Sequence, residues 1–339
     1  MTKFNHLFQE YLPQLQKVNE IILSYSAGKA SLIQEITANL INSGGKRIRP
    51  ILLIIATELC RDNHPQPQST SPDNSVKYFL ASAVEMIHSA TLLHDDVVDN
   101  SAIRRGKKTA NAIWDNKAPI LVGDYLFSLA FQLMVKSDNL RILELLAKTS
   151  SIIADGEVLQ LQNSTNINLS SEQYFEIIFG KTAVLFSACC EVGALINNRP
   201  EAEILALRNF GKNLGLVFQI TDDILDYSSD SQTLGKEIGD DFFEAKVTLP
   251  IIKTYQHANN DDKKLINDIF QHNLISSEKN FDNFAKILDL INKYHGIELA
   301  KEMASDLVAQ AQNNLKIFGE NSYKDHLLSI LEYSHHRIF

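Results

Sequence analysis

Cysteine is scarce: Cys60, Cys189 and Cys190 are the only three in 339 residues. An odd count with two adjacent residues makes no disulfide framework, and no Cys-x-x-Cys or Cys/His metal spacing occurs. A reduced, cytoplasmic setting is expected. Proline and glycine are few, 8 and 14, so long helices can run with little interruption. The longest apolar run, Ile51–Ala56, falls far short of the roughly 20 residues that span a bilayer. The stretch Met1–Pro13 lacks a secretory apolar core. The chain therefore reads as soluble, or peripheral at most. Positive charge is also in deficit, with a net charge of −9. That excludes non-specific attraction to nucleic acid or anionic lipid. Any phosphate must be met by a local cationic patch.

Helical periodicity is what the sequence does contain. From Val76, apolar residues recur at Phe79, Leu80, Ala83, Val84, Ile87, Ala90 and Leu93, the three-four spacing of a helix face. Similar patterns cover 120–135, 140–162, 174–195, 204–225, 249–255 and 285–315. Strand alternation between turn residues is hard to find, so the fold class is all-α. Polar loops are expected at 62–75, 163–171, 228–235 and 257–263. Ser170 and Gln173 have capping-box spacing.

Two acidic clusters stand out: His94-Asp95-Asp96-Val97-Val98-Asp99 and Thr221-Asp222-Asp223-Ile224-Leu225-Asp226. Each ends an apolar helical stretch. Positions i and i+4 share a helix face, about 5–6 Å apart at Cβ, so Asp95 pairs with Asp99 and Asp222 with Asp226. Like charges there repel, and a helix C-terminus disfavours each by about 0.3–1 kcal/mol. One such run is usually a solvated helix end, as at Asp261-Asp262. Two, both closing apolar helices, point to a cation. Magnesium suits them, since it takes one or two carboxylates together with substrate phosphates and water.

Cationic groups accompany the acids. Gly44-Gly45-Lys46-Arg47-Ile48-Arg49-Pro50 joins close backbone approach to fork-shaped donors, though a basic loop alone is commonly just solvated. Arg104 and Arg105 follow the first cluster and form either a structural ion pair or a bidentate phosphate grip. Lys181-Thr182, Lys236 and Lys246 complete the set; each lysine alone is more often a surface residue. His88, about two turns before Asp95, is a candidate phosphate donor, while His94 fits a packed histidine. Gln219 precedes Asp222 by three residues and either orients a substrate or pairs with a neighbouring helix.

In their order along the chain, GGKRIRP, IHSATLLHDDVVD, RRG, VGDYLFSLAFQLM, GEVLQL, KTA, FQITDDILD and LGKEIGDDFFEAKVTLP, from Gly44 to Pro250, resemble the trans-polyprenyl diphosphate synthases. The resemblance is closest to the long-chain bacterial type that makes octaprenyl diphosphate. It implies one all-α domain over 1–339, an isoprenoid synthase bundle of roughly a dozen helices around a deep central cavity, usually a homodimer. It implies a prenyltransferase that adds isopentenyl diphosphate successively to an allylic diphosphate, farnesyl diphosphate as primer, giving an all-trans octaprenyl product for ubiquinone or menaquinone side chains. It also implies about two or three magnesium ions per active site, held by Asp95, Asp99 and Asp222 with Asp96, Asp223 and Asp226 in support. Lys46, Arg49, His88 and Arg105 match isopentenyl diphosphate contacts. Arg104, Lys181, Thr182, Gln219, Lys236 and Lys246 match allylic-side contacts, with Lys181, Thr182 and Gln219 also placed to stabilise the carbocation. A basic C-terminal tail is only partly matched, by His335-His336-Arg337. No nucleic acid partner is expected, and membrane contact at most peripheral, for product release.

Product length follows from helix geometry. One turn, about 5.4 Å, is comparable to one isoprene unit. Ala90 and Thr91, five and four residues before Asp95, are small, where short-chain relatives place bulky aromatics. The tunnel thus opens past Ala90, Thr91 and Ile87, with Phe131 and Met134 as its floor or as ordinary core. A farnesyl or geranylgeranyl synthase is the main alternative, followed by a non-catalytic synthase subunit. Terpene cyclases and head-to-head synthases differ around the motifs.

Overall fold

The structure, a computed structural model, describes residues 3–63, 74–104, 106–164, 166–228, 239–275 and 279–336. Most of the loops expected at 62–75 and 228–235 lies outside these residues, as do Arg105, Lys236 and Arg337. The helices are α1 (Lys3–Tyr25), α2 (Ser31–Asn42), α3 (Ile48–Asn63), α4 (Val76–Val98), α5 (Ala110–Trp114), α6 (Lys117–Val135), α7 (Leu140–Asn163), α8 (Ser171–Ile178), α9 (Val184–Ile196), α10 (Glu201–Ser228), α11 (Asp240–Phe243), α12 (Leu249–His257), α13 (Asn260–Ile275), α14 (Phe281–Lys293), α15 (Gly296–Asn314) and α16 (Ser322–His336). The all-α expectation holds. Among the described residues, strand is confined to a ribbon pairing Ile103 with Lys108 and Arg104 with Lys107. Strands of two residues have no face to bury, so periodicity could not announce them.

Contacts divide the chain into two compact units. The first draws on Met1–Ser150, Leu185–Gly211 and Asn314–Ile330. Here Leu7, Tyr11, Leu15, Val18 and Ile22 form the buried stripe of α1, at the spacing of one helix face. Helix α3 is different: Ile51–Cys60 is buried on every side. The longest apolar run of the chain is thus a central core helix. Helix α4 packs along α6, α3 and α1. Asn197 Nδ2 donates to Thr57 O at 3.0 Å and fastens α9 to α3.

The second unit draws on Ser151–Val184, Lys212–Asn313 and Leu331–Phe339. Its core gathers Tyr174, Ile177, Ile220, Ile224, Phe242, Leu249, Ile252, Phe270, Phe284 and Ile287. Phe242 is fully buried, with its ring 5.3 Å from that of Phe284 and 5.7 Å from that of Phe270. The capping box forms as expected: Gln173 N donates to Ser170 Oγ at 3.2 Å and Ser170 N to Gln173 Oε1 at 3.0 Å. The pattern over 285–315 is broken in two, because His295 adopts φ 56° ahead of Gly296. Likewise the 174–195 pattern is interrupted by a π-helical turn over Phe179–Ala183.

Run length understated the apolar helices. By length and composition, Lys117–Val135 and Ser171–Ile196 are both long and apolar enough to cross a membrane. Of their most apolar windows, 50% and 89% respectively are buried inside the protein; core helices meet the same criterion.

Candidate functional site

The two aspartate motifs fold alike. Asp95 and Asp99, and likewise Asp222 and Asp226, are half-buried, whereas Asp96 and Asp223 are 2% and 3% exposed. Helical geometry sets this division: i and i+4 share the solvent-reaching face and i+1 turns into the core. Helix α4 ends at the motif, with Asp99 N donating to Asp95 O at 2.8 Å. Helix α10 ends two residues beyond Asp226. Asp95, Asp99 and Asp226 therefore lie at last turns, where the macrodipole opposes them, and Asp222 lies one turn earlier.

Each buried second aspartate holds neighbouring machinery. In the first unit, Arg104 Nε donates to Asp96 Oδ1 at 2.7 Å, and Asn111 Nδ2 donates to Asp96 O at 3.0 Å. Arg104 is thus ion-paired with the motif. In the second unit, Tyr174 Oη donates to Asp223 Oδ2 at 2.5 Å and Gln219 Nε2 to Asp223 Oδ1 at 2.9 Å. Thr182 Oγ1 donates in turn to Gln219 Oε1 at 2.8 Å. Gln219 is thus a relay between Thr182 and the acidic motif. Burial pushes the Asp223 carboxyl well above the usual range, Asp241 and Asp222 add to that, and the Tyr174 and Gln219 hydrogen bonds oppose it.

The basic loop lies in the first unit. Arg49 Nη1 stands 3.1 Å from His88 Nε2, and its guanidinium lies 4.7 Å from the Phe186 ring centroid. Lys46 is exposed, with Nζ 5.8 Å from the Phe4 centroid. Gly44 and Gly45 have φ of 80° and 128°, a turn that side chains resist. Arg47 turns inward instead, in an ion pair with Glu85. His94 is a packed histidine as expected, its Nε2 3.2 Å from Ile120 O and its ring 6.3 Å from that of Phe127.

Lys181 and Thr182 fall inside the π-helical turn. Such turns leave part of the backbone ladder re-registered and recur at functional positions. Two glycine-bearing segments press together there: a Cβ at Gly156 would come within 2.6 Å of Lys181 N. Lys181 Nζ donates to Glu157 Oε2 at 3.0 Å. Beside this turn is a cavity of about 110 Å³ lined by Tyr174, Lys181, Gln219, Asp223, Asp241, Lys246 and Thr248 among others. Lys246 Nζ is 2.5 Å from Glu244 Oε2 and 3.9 Å from Asp241 Oδ1. Sequence reasoning missed Tyr174 and Asp241. The Asp240-Asp241 pair close before Lys246 was the available signal for the second; Tyr174 carried none, since it reads as an ordinary apolar-face residue.

Of the chain-length candidates, Ala90 and Ile87 are fully buried and Met134 is 1% exposed, whereas Phe131 is 41% exposed. Thr91 is half-buried and its hydroxyl donates to His88 O at 2.9 Å.

The donors fit magnesium by chemistry. Among the described residues, no three His, Cys, Asp or Glu side chains are placed to hold a metal by themselves. The half-buried carboxylates come as oxygen pairs, the number magnesium uses when phosphates and waters complete its shell.

The family model "Polyprenyl synthetase" matches residues 30–288. The octaprenyl diphosphate synthase of Haemophilus influenzae is 36% identical over 318 residues, covering 94% of this chain and 92% of its own. The geranylgeranyl diphosphate synthase of Sulfolobus acidocaldarius is 31% identical, covering 93% and 92%. A crystal structure of a decaprenyl diphosphate synthase from Rhodobacter capsulatus superposes with a TM-score of 0.90 at 37% identity, covering 99% of both chains.

Proposed function

Because the chain belongs to the polyprenyl synthetase family and is therefore a prenyltransferase, we propose that it elongates an allylic diphosphate with isopentenyl diphosphate to a long all-trans product, octaprenyl in length. The observation that carries this is the shared build of the two motifs, each with a half-buried i, i+4 pair and a buried, hydrogen-bonded second aspartate. On this reading the chain is one synthase domain over 1–339. Support for that is a family match that spans parts of both units.

Asp95, Asp99 and Asp222 would hold magnesium, with Asp226 in support. Bound magnesium supplies positive charge that stabilises the departing diphosphate. Asp96 orients Arg104 toward the allylic diphosphate, and Asp223 orients Gln219. Lys181 and Lys246 add charge, as does Lys236, which lies outside the described residues. The carbon–oxygen bond breaks, its electrons leaving with the diphosphate. The isopentenyl double bond attacks the allylic cation, and the released diphosphate takes the proton that restores a double bond. Thr182, Gln219 and the π-turn carbonyls present oxygen to the cation. Lys46, Arg49 and His88 bind isopentenyl diphosphate, with Arg105, again outside the described residues. The growing chain runs past Ala90, Thr91 and Ile87 toward Met134.

A homodimer is part of the proposal. Leu121 and Val135 on α6 are 67% and 63% exposed, an apolar edge that a second copy would cover. Phe131 borders the tunnel only if that copy closes over it. A cytoplasmic setting is supported by the thiols, all free and buried; burial raises that of Cys60 to about 12. The quinone pathway is the proposed destination of the product.

The test is incubation of the purified chain with labelled isopentenyl diphosphate, farnesyl diphosphate and magnesium. Polyprenyl products near octaprenyl length are expected. Products ending at farnesyl or geranylgeranyl would favour the short-chain alternative. No magnesium-dependent product would revive the non-catalytic one.

A further inference from the structure

We propose that Glu85 is a positioning residue for the basic loop: acting through Arg47, it holds the backbone in the conformation that presents Lys46 and Arg49 to a diphosphate. This rests on the reading of residues 44–50 as the isopentenyl diphosphate site. Arg47 adopts φ 45°, a conformation L side chains avoid unless their surroundings impose it. The surroundings here are specific. Glu85, 2% exposed on α4, accepts an ion-paired hydrogen bond from Arg47 Nη1. Arg47 Nη2 donates to Ile41 O at 3.0 Å. The Arg47 side chain is 10% exposed, so this guanidinium works inside the protein. Three residues along the same helix, His88 Nε2 meets Arg49 Nη1 at 3.1 Å.

The loop is therefore fastened to α4 at two adjacent turns. Glu85 also offsets one of three cations within four residues, Lys46, Arg47 and Arg49. A carboxylate this buried is unfavourable unless it holds a charged partner, and the partner lies in the loop. Without the Glu85 carboxylate, the inward Arg47 guanidinium loses its charged partner at Nη1. Its backbone is then released from positive φ, and Lys46 moves with it.

The test compares Glu85→Gln, Arg47→Met and the double variant with wild type, after thermal melts establish folding. Glu85→Gln is expected to raise the KM for isopentenyl diphosphate by about tenfold or more, as misplaced binding groups do. Its calorimetric Kd, measured without allylic substrate, should rise in step, while kcat and the KM for farnesyl diphosphate stay within about twofold. The double variant should be no worse than the worse single, because both remove one link. Arg47→Lys, which keeps the charge but not the fork, should fall between. Equal rises in both KM values, a lower kcat at unchanged Kd, or additive singles would overturn the proposal. Lys46→Met and Arg49→Met separate it from its premise. If neither weakens isopentenyl diphosphate binding, the site is wrongly assigned; if they do and Glu85→Gln does not, only the positioning role fails.

Discussion

Replacing Ala90 with phenylalanine probes the direction and depth of chain growth. Ala90 is fully buried on α4, five residues before Asp95. Five residues at about 1.5 Å rise put it some 7.5 Å from the motif along the axis. An extended isoprene unit is about as long as one turn, so that distance accommodates roughly one to two units and a ring at 90 would stop the chain far short of eight. The product should shift from octaprenyl to a much shorter prenyl chain. Overpacking a core site carries a cost of about 1–3 kcal/mol, so the variant should melt a few degrees lower yet remain folded. The assay is reversed-phase chromatography of products from labelled isopentenyl diphosphate, read beside a thermal melt. A folded variant with unchanged product length would refute the tunnel direction. Loss of all product together with loss of the melt would report only on packing, and Ala90→Leu, with less added bulk, would then replace it.

Other substitutions test the rest of the reading. Tyr174→Phe removes a donor to a buried carboxylate, worth about 1.5–3 kcal/mol, and should lower kcat/KM by roughly ten- to a hundredfold; an unchanged value would reduce Tyr174 to packing. Asp95→Ala and Asp222→Ala should each lower kcat by about a hundredfold or more, and chelation should abolish turnover until magnesium is restored. Activity that persists in chelator would remove magnesium from the mechanism. Phe242→Ala empties the centre of the second core and should cost about 3–5 kcal/mol, measured as an earlier midpoint in urea unfolding.

How much of this was legible beforehand differs by residue. The i, i+4 pairing of Asp95 with Asp99 and of Asp222 with Asp226 follows from 3.6 residues per turn, a local property. The same arithmetic gave the capping box at Ser170. It did not show that Asp96 grips Arg104, or that Arg47 is turned toward Glu85 rather than outward. Those partners are 8 and 38 residues apart, and nothing in spacing selects them. The π turn at Lys181 was hidden for a similar reason. It lies where Gly156 and Gly180 meet, a contact between segments that periodicity treats separately.

By itself, the sequence determined the helices, the two acidic helix ends and the cationic residues available to them, because each depends on neighbours within a turn or two. Tertiary structure alone decided which of those charges face inward. Tyr174, unremarked in the pattern, became a donor to Asp223, and Phe131 was left exposed beside a buried Met134. The physical reason is that burial and hydrogen-bond partnership are settled by packing between distant segments, where a polar group withdrawn from water must find its partner from whatever the fold places beside it.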